Sequence, residues 1–367
     1  MKKKKIMAIV GTRPDAVKMC PLINELRKRE ELSVSVCSTG QHKELLASVL
    51  RIFDVTPDYD LDIMRDGQDL FDITLRVMEG LREIYERERP DTVLVHGDTT
   101  GSFAAALAAF YKKIPVCHVE AGLRTYDLTS PYPEEFNRRA ISLMADYHFA
   151  PTDTAMENLL SEGVEDSKVS VTGNTVVDAL SDTVRTDHYH PLLQWAEDSR
   201  LILLTAHRRE NLGEAMKNIF LAVRRVLDEY EDVKVVYPVH PNPAVRELAE
   251  KMLGGHERLR ISEPLGVRDF HNLISASYLV LTDSGGVQEE AVSLGRPTLV
   301  IRNTTERQEG VLSGGIRLVG TGEETVYRGI RALLDSKALY YAMSRARSPF
   351  GKGDASCRIA DIVEKIV

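Results

Sequence analysis

The chain is short of cysteine, and its four cysteines have no paired spacing. Cys20, Cys37, Cys117 and Cys357 are scattered over 367 residues, which excludes a disulfide scaffold and a cysteine-rich metal site. They read as reduced thiols and point to a cytoplasmic protein. No apolar run is long enough to span a membrane. Lys2 to Lys5 looks like the basic start of a signal peptide, but the apolar run behind it, Ile6 to Val10, stops too soon at Gly11-Thr12-Arg13-Pro14. The lysines read as a solvated lead-in to the first strand. No G-x-G-x-x-G opens a helix after that strand, so NAD is not indicated. Walker A and H-E-x-x-H sequences are missing too, and neither a cofactor nor a metal is expected. Positive charge is the minority: 47 Lys and Arg stand against 55 Asp and Glu, for a net charge of −8. That argues against broad nucleic-acid or anionic-membrane binding and requires a local basic cluster for any acidic ligand.

What is there is an ordinary globular composition, 43% hydrophobic and 28% charged, in a chain long enough for two domains. Short apolar strands alternate with amphipathic helices from one end to the other. Strands are expected at 6–10, 33–38, 92–96, 115–119, 147–150 and 169–171, with the clearest helices at 16–29, 70–89, 102–111 and 135–146. The pattern weakens over the polar stretch from about Asp182 to Arg200, which reads as a linker. It restarts with strands at 201–205, 233–237, 260–262, 278–282, 298–301 and 316–319, and helices at 214–230, 244–253, 267–276 and 287–294. The reading is an α/β chain of two doubly wound, Rossmann-like halves, 1–182 and 200–354, with a last helix at 355–367. Ligands bind such sheets beyond the carboxyl ends of the strands, and two such halves facing each other leave a central cleft.

The most informative segment is Thr282-Asp283-Ser284-Gly285-Gly286-Val287-Gln288-Glu289-Glu290-Ala291. A strand that turns through Ser-Gly-Gly into a helix offers backbone N–H groups and the positive end of the helix dipole to an anion. The glycines let a phosphate approach the backbone closely. Glu290, about a turn inside, is placed to accept hydrogen bonds from ribose hydroxyls. The same residues also suit a plain Gly-rich turn with acids stabilising a helix start.

Other polar clusters sit past strand ends. In Gly11–Lys18, Pro14 suits the first helical position, so Lys18 falls near a helix N-terminus that disfavours a cation. A bound anion, or Asp15, would relieve that; Arg13 and Lys18 are either ligands or halves of surface ion pairs. His96-Gly97-Asp98-Thr99-Thr100 and His118-Val119-Glu120-Ala121-Gly122-Leu123-Arg124 each put a carboxylate straight after a strand, and Pro133-Glu134-Glu135 adds two more. Acids sharing one crevice raise at least one pKa, as acid–base work requires. Each also has a plain role: helix cap for Asp98, dipole partners for Glu134 and Glu135. In the second half, His207 and His240 are ligands or core histidines, and Arg307 has the reach and shape to hold a diphosphate at the Ser284–Gly286 turn.

Taken in order, Gly11-Thr12-Arg13-Pro14, His96-Gly97-Asp98-Thr99-Thr100, His118 to Thr125, Pro133-Glu134-Glu135, Thr205-Ala206-His207-Arg208-Arg209-Glu210 and Asp283 to Glu290 resemble the non-hydrolysing UDP-N-acetylglucosamine 2-epimerases over nearly the whole chain. The resemblance implies a glycosyltransferase-B-type fold, a C-terminal helix returning to the first domain, and a homodimer. It implies reversible epimerisation at C2 of UDP-N-acetylglucosamine, giving UDP-N-acetylmannosamine, by loss and re-addition of UDP. Asp98, Glu120 and Glu134 match the family's catalytic acids. His207 matches a position on the phosphate side and is counted with them. Ser284, Gly285 and Gly286 match diphosphate contacts, Glu290 a ribose contact, and Arg13, Arg307, Phe270, Lys18 and Arg138 further substrate positions. Bacterial members also bind UDP-N-acetylglucosamine as an activator, near positions matched by Gln41, His42, Gln68, Arg208 and His240. Glu44 stands there in place of a usual glutamine and Gly67 in place of a usual arginine, so activation is expected to be weak or altered. A hydrolysing epimerase that releases N-acetylmannosamine is the nearest competitor; a retaining UDP-sugar glycosyltransferase and a non-catalytic sensor are more distant.

Overall fold

Runs of Val, Ile, Leu and Ala build the central strands of two parallel sheets, and both faces of each sheet are covered by helices. The computed structural model describes residues 3–40, 43–65, 67–208 and 211–367. The chain divides into two units, Met1–Asp182 with Phe350–Val367, and Thr183–Pro349.

In the first unit the strands are β1 (Lys4–Val10), β2 (Leu32–Ser38), β3 (Tyr59–Asp60), β4 (Thr92–His96), β5 (Val116–Val119), β6 (Tyr147–Ala150) and β7 (Val169–Val171). They pair in the order β3-β2-β1-β4-β5-β6-β7, parallel throughout. The order reverses between β1 and β4, so the chain leaves these two neighbours in opposite directions and opens a crevice at their carboxyl ends. Met7, Ile9, Val93 and Val95 on one sheet face pack against Ile73, Val77 and Leu81 of the helix Leu70–Glu88 and against the alanines of the helix Thr100–Tyr111. The i, i+4 spacing of Ile73, Val77 and Leu81 makes one apolar stripe. Asp69 and Asp72 form the capping box that starts that helix.

The tail returns to this unit. Phe350 O accepts from Asn174 N at 2.7 Å. Gly173 and Gly351, with φ of +90° and +109°, pass so closely that a Cβ on Gly173 would lie 3.2 Å from the Gly351 Cα. Asp178 accepts from Ser356 N at 2.8 Å and Ala355 N at 3.3 Å, which caps the helix Ala355–Ile366.

In the second unit β8 (Arg200–Thr205), β9 (Val233–Pro238), β10 (Leu259–Ser262), β11 (Leu279–Thr282), β12 (Thr298–Val300) and β13 (Ile316–Leu318) pair as β10-β9-β8-β11-β12-β13. All are parallel, and the reversal lies between β8 and β11. Phe220, Val223 and Leu227 of the helix Glu214–Glu229 and Ile330 and Leu333 of the helix Glu323–Asp335 close one face. The polar stretch after Asp182 packs on this unit: it holds the helix Pro191–Ala196, and Trp195 lies under the guanidinium of Arg260 at 4.8 Å. The helix expected from Val287 begins two residues earlier, at Gly285, with Ser284 as its N-cap. No helix of the described residues is long and apolar enough to cross a membrane.

Candidate active site

In the first unit, polar side chains from β1, β4, β5 and β7 meet at the reversal. Thr12 and Asp15 form the capping box of the helix Arg13–Arg27. The sequence offers Asp15 as the nearest partner for Lys18, but the structure pairs Lys18 with Glu120, 102 positions away, as a buried ion pair. Asp15 instead faces His96, with Oδ1 3.3 Å from Nδ1. Asn174, just past β7, donates to the same Glu120 oxygen at 2.7 Å. Glu120 itself sits at φ +63°, a backbone conformation that L-residues adopt rarely, on the turn that leaves β5. The turn is fixed by Gly122, where φ is +86° and a Cβ would lie 2.1 Å from the Ala155 carbonyl oxygen.

Asp98 follows β4. Its Oδ2 accepts from Arg138 Nη1 at 2.6 Å, and its carbonyl accepts from Asn137 Nδ2 at 2.9 Å. Burial raises the Asp98 carboxyl above its ordinary range; Arg138 pulls the other way, while the charges of Glu120, Glu134 and Asp15 add to the rise. Glu134 is half-buried at the first turn of the helix Glu134–Met144. Its neighbour Glu135 is structural: fully buried, it accepts from Thr125 N at 3.1 Å and Tyr126 N at 3.0 Å. His118 is structural as well. Its Nε2 donates to Gly97 O at 2.7 Å, and burial pushes its pKa down to about 3, so it is neutral.

In the second unit, Asp283 is fully buried where β11 ends. Its Oδ2 accepts from His207 N at 2.8 Å, Arg208 N at 2.9 Å and Asn211 Nδ2 at 3.0 Å. Its Oδ1 lies 3.2 Å from His207 Nδ1. The ring of His240 stacks on His207 with centroids 5.6 Å apart. Gly285 and Gly286 form the first turn of the next helix. Arg307 is held over Gly285 by Glu289, at 2.8 Å, and by Glu306, at 3.1 Å. Glu306 also meets Arg302 at 2.9 Å and Arg208 at 3.4 Å. Desolvation opposes its ionisation, but Arg307, Arg208 and Arg302 override that and draw its pKa down to about 2. This is an anion site in outline: a helix N-terminus whose first two residues are glycines, flanked by three guanidinium groups.

Glu290 Oε1 lies 3.7 Å from His271 Nε2, and a Cβ on Gly286 would be 4.0 Å from it. Phe270 packs on the core between β8 and β11, and Arg13 is half-buried at the start of its helix. Of the expected activator residues, Arg208 belongs to the anion cluster and His240 to the His207 stack. Gln68 accepts from Arg65 N at 3.1 Å. Gln41, His42 and the Glu44 side chain lie outside the described residues. Gly67 has φ +72° in open space, so glycine serves a left-handed backbone there. Asn174, Asp283 and Glu306 carry no role in the sequence reading. Asn174 and Asp283 share the signal that marks the other site residues: each stands just past a strand end, Asn174 after β7 and Asp283 after β11.

A family model described as UDP-N-acetylglucosamine 2-epimerase matches residues 24–364. The UDP-N-acetylglucosamine 2-epimerase of Bacillus subtilis is 53% identical over 361 residues, covering 98% of this chain and 95% of its own. A solved structure from Listeria monocytogenes, 53% identical, superposes with a TM-score of 0.96 and covers 100% of this chain and 96% of its own. The UDP-N-acetylglucosamine 2-epimerase of Neisseria meningitidis, solved bound to UDP-N-acetylglucosamine, is 44% identical with a TM-score of 0.93 and covers 98% and 100%. The glycosyltransferase-B-type fold expected from the resemblance holds, and the chain belongs to the UDP-N-acetylglucosamine 2-epimerase family.

Proposed function

We propose that the protein interconverts UDP-N-acetylglucosamine and UDP-N-acetylmannosamine without hydrolysis. The C2 proton is not α to a carbonyl, so a side-chain base cannot simply take and return it. Loss of UDP with its C1–O electron pair, as a base takes the C2 proton, leaves a C1=C2 double bond in a 2-acetamidoglucal. UDP then attacks C1 again while a proton is delivered to the opposite face of C2. The first unit supplies Asp98, Glu120 and Glu134 for proton transfer, with Lys18 and Arg138 setting their charge. The second holds UDP through Ser284, Gly285, Gly286, Arg13-independent contacts from Arg307, and Glu290 at the ribose, with Phe270 beside the nucleotide and His207 on the phosphate side. Arg13, on the first unit, is a further substrate position by the same resemblance. The observation that carries this reading is the gathering of Asp98 and Glu120 at the mouths of the neighbouring strands β4 and β5, in unlike settings: burial raises the Asp98 carboxyl above its ordinary range, while Glu120 is ion-paired with Lys18.

The test is incubation with UDP-N-acetylglucosamine alone in D₂O, followed by NMR. Deuterium at C2, UDP-N-acetylmannosamine, and little free UDP are expected. Free N-acetylmannosamine with stoichiometric UDP would instead establish hydrolysis, and no reaction without an acceptor would favour a glycosyltransferase. Run against rising substrate, the same assay is expected to give a near-hyperbolic curve, because Gly67 and Glu44 weaken the activator position. Strong sigmoidality would count against that.

A homodimer belongs to the same proposal. Phe71, Leu75, Phe110 and Leu143 are exposed on the neighbouring helices Leu70–Glu88, Thr100–Tyr111 and Glu134–Met144, and Leu143 is 87% exposed. Light scattering is expected to give twice the chain mass for the wild type and a lower mass for Leu143→Asp. A monomeric wild type would remove the dimer.

A further inference from the structure

His96 has no role in the reaction as set out above, yet it occupies the centre of the first unit's charged cluster. Its ring is 3% exposed, with Nδ1 3.3 Å from Asp15 Oδ1 and Nε2 3.6 Å from Glu120 Oε2. Asp15, Lys18 and Glu120 are buried around it. With a neutral imidazole, two buried carboxylates would face one ammonium, and a buried uncompensated charge is strongly unfavourable. With an imidazolium the cluster balances, two against two. Lys18, Asn174 and His96 converge on Glu120 Oε2. Oε1 is the oxygen on the side of Gly97, 3.7 Å from where a Cβ there would stand, at the mouth of β4.

We propose that His96 is a positioning residue: as an imidazolium between Asp15 and Glu120, it keeps Glu120 ionised and turns Oε1 toward the reacting sugar. This rests on the epimerase reading of Glu120. Burial lowers the His96 pKa and Lys18 lowers it further, but the nearby charge of Glu120 and the hydrogen bond to Asp15 outweigh both, and it stands at about 9. His118 on β5, which also bears on the ring, is neutral. A raised histidine stabilises the fold and the charge pattern fully below its unfolded value near 6.5, and that contribution is lost as pH rises toward about 9.

The test compares wild type with His96→Gln across alkaline pH, measuring kcat, KM and UDP binding. Wild-type kcat is expected to fall as pH rises through about 9. H96Q is expected to lose roughly ten- to a hundredfold in kcat, with KM and the Kd for UDP within about twofold, and to lack the alkaline limb. If H96Q does not fold, Asp15→Asn carries the test, since asparagine still accepts the Thr12 cap bond. It should move the alkaline limb to lower pH. A wild-type kcat in H96Q, or an alkaline limb unmoved in either variant, overturns the proposal. A wild type that leaves UDP-N-acetylglucosamine unchanged overturns the epimerase reading first and this one with it, whereas an active wild type matched by H96Q overturns this one alone.

Discussion

Glu120→Gln is expected to lower kcat by about a thousandfold while leaving UDP affinity within about twofold, a loss within the range of an acid–base group. Glutamine keeps an oxygen for Lys18 and Asn174, so the turn after β5 and its hydrogen bonds survive. What disappears is the negative charge and the basic oxygen. Lys18 and His96 are then two buried cations against Asp15 alone, so His96 should give up its proton and the alkaline limb should move to lower pH. Removing one partner of a buried pair costs about 3–5 kcal/mol when nothing replaces it, and a retained hydrogen bond softens that, so a thermal melt belongs beside the kinetics. Apart from Arg13, the UDP contacts proposed above belong to Thr183–Pro349, so UDP affinity is expected to change little. A loss below tenfold, or a parallel loss of UDP binding, would sink the role given to Glu120.

Gly285→Ala is expected to weaken UDP binding by roughly a hundredfold, about 2.7 kcal/mol, and to raise KM in step. An added Cβ would stand 2.7 Å from Glu306 Oε1 and 3.2 Å from Arg307 Cζ and Nη1. One methyl group therefore meets the carboxylate that gathers three arginines and the guanidinium held over the helix start. Neither is slack: Arg307 is also tied to Glu289, and Glu306 to Arg302 and Arg208. The methyl also covers backbone N–H groups that a diphosphate would approach. Gly286 is the internal control, because a Cβ there meets only Glu290 Oε1, at 4.0 Å. Gly286→Ala should lose far less affinity. Calorimetry with UDP reads both, and equal affinities for wild type and Gly285→Ala would mean that the diphosphate lies elsewhere.

The central strands were legible because runs such as β4, β5 and β11 are short, apolar and buried on both faces, and their carboxyl ends marked where polar residues matter. Asp98, Glu120 and Ser284 could be found that way. Helix edges were less legible: Gly285 and Gly286 are poor helix formers, so a propensity reading leaves them in the turn, while the structure puts them in the first helical turn. Pairing across the sheet was not legible at all. Lys18 has an acid three residues away and ignores it for Glu120, because Asp15 is already committed to the cap and to His96. Asp283 reads as one more letter of a Gly-rich motif until three donors are seen on one of its oxygens. Two-residue β3 and the small helix Pro191–Ala196 have too few residues to show a period.

The returning tail makes the setting of Glu120 depend on order of synthesis. Asn174, which anchors that carboxylate, takes its own backbone bond from Phe350, and Gly173 beside it is pressed against Gly351. A nascent chain has therefore emerged through the whole of the second unit before the acid's surroundings can be completed. A chain that stops short of Phe350 carries Asp98 and Glu120 without the Phe350 carbonyl and the Gly351 contact that hold the Gly173-Asn174 turn.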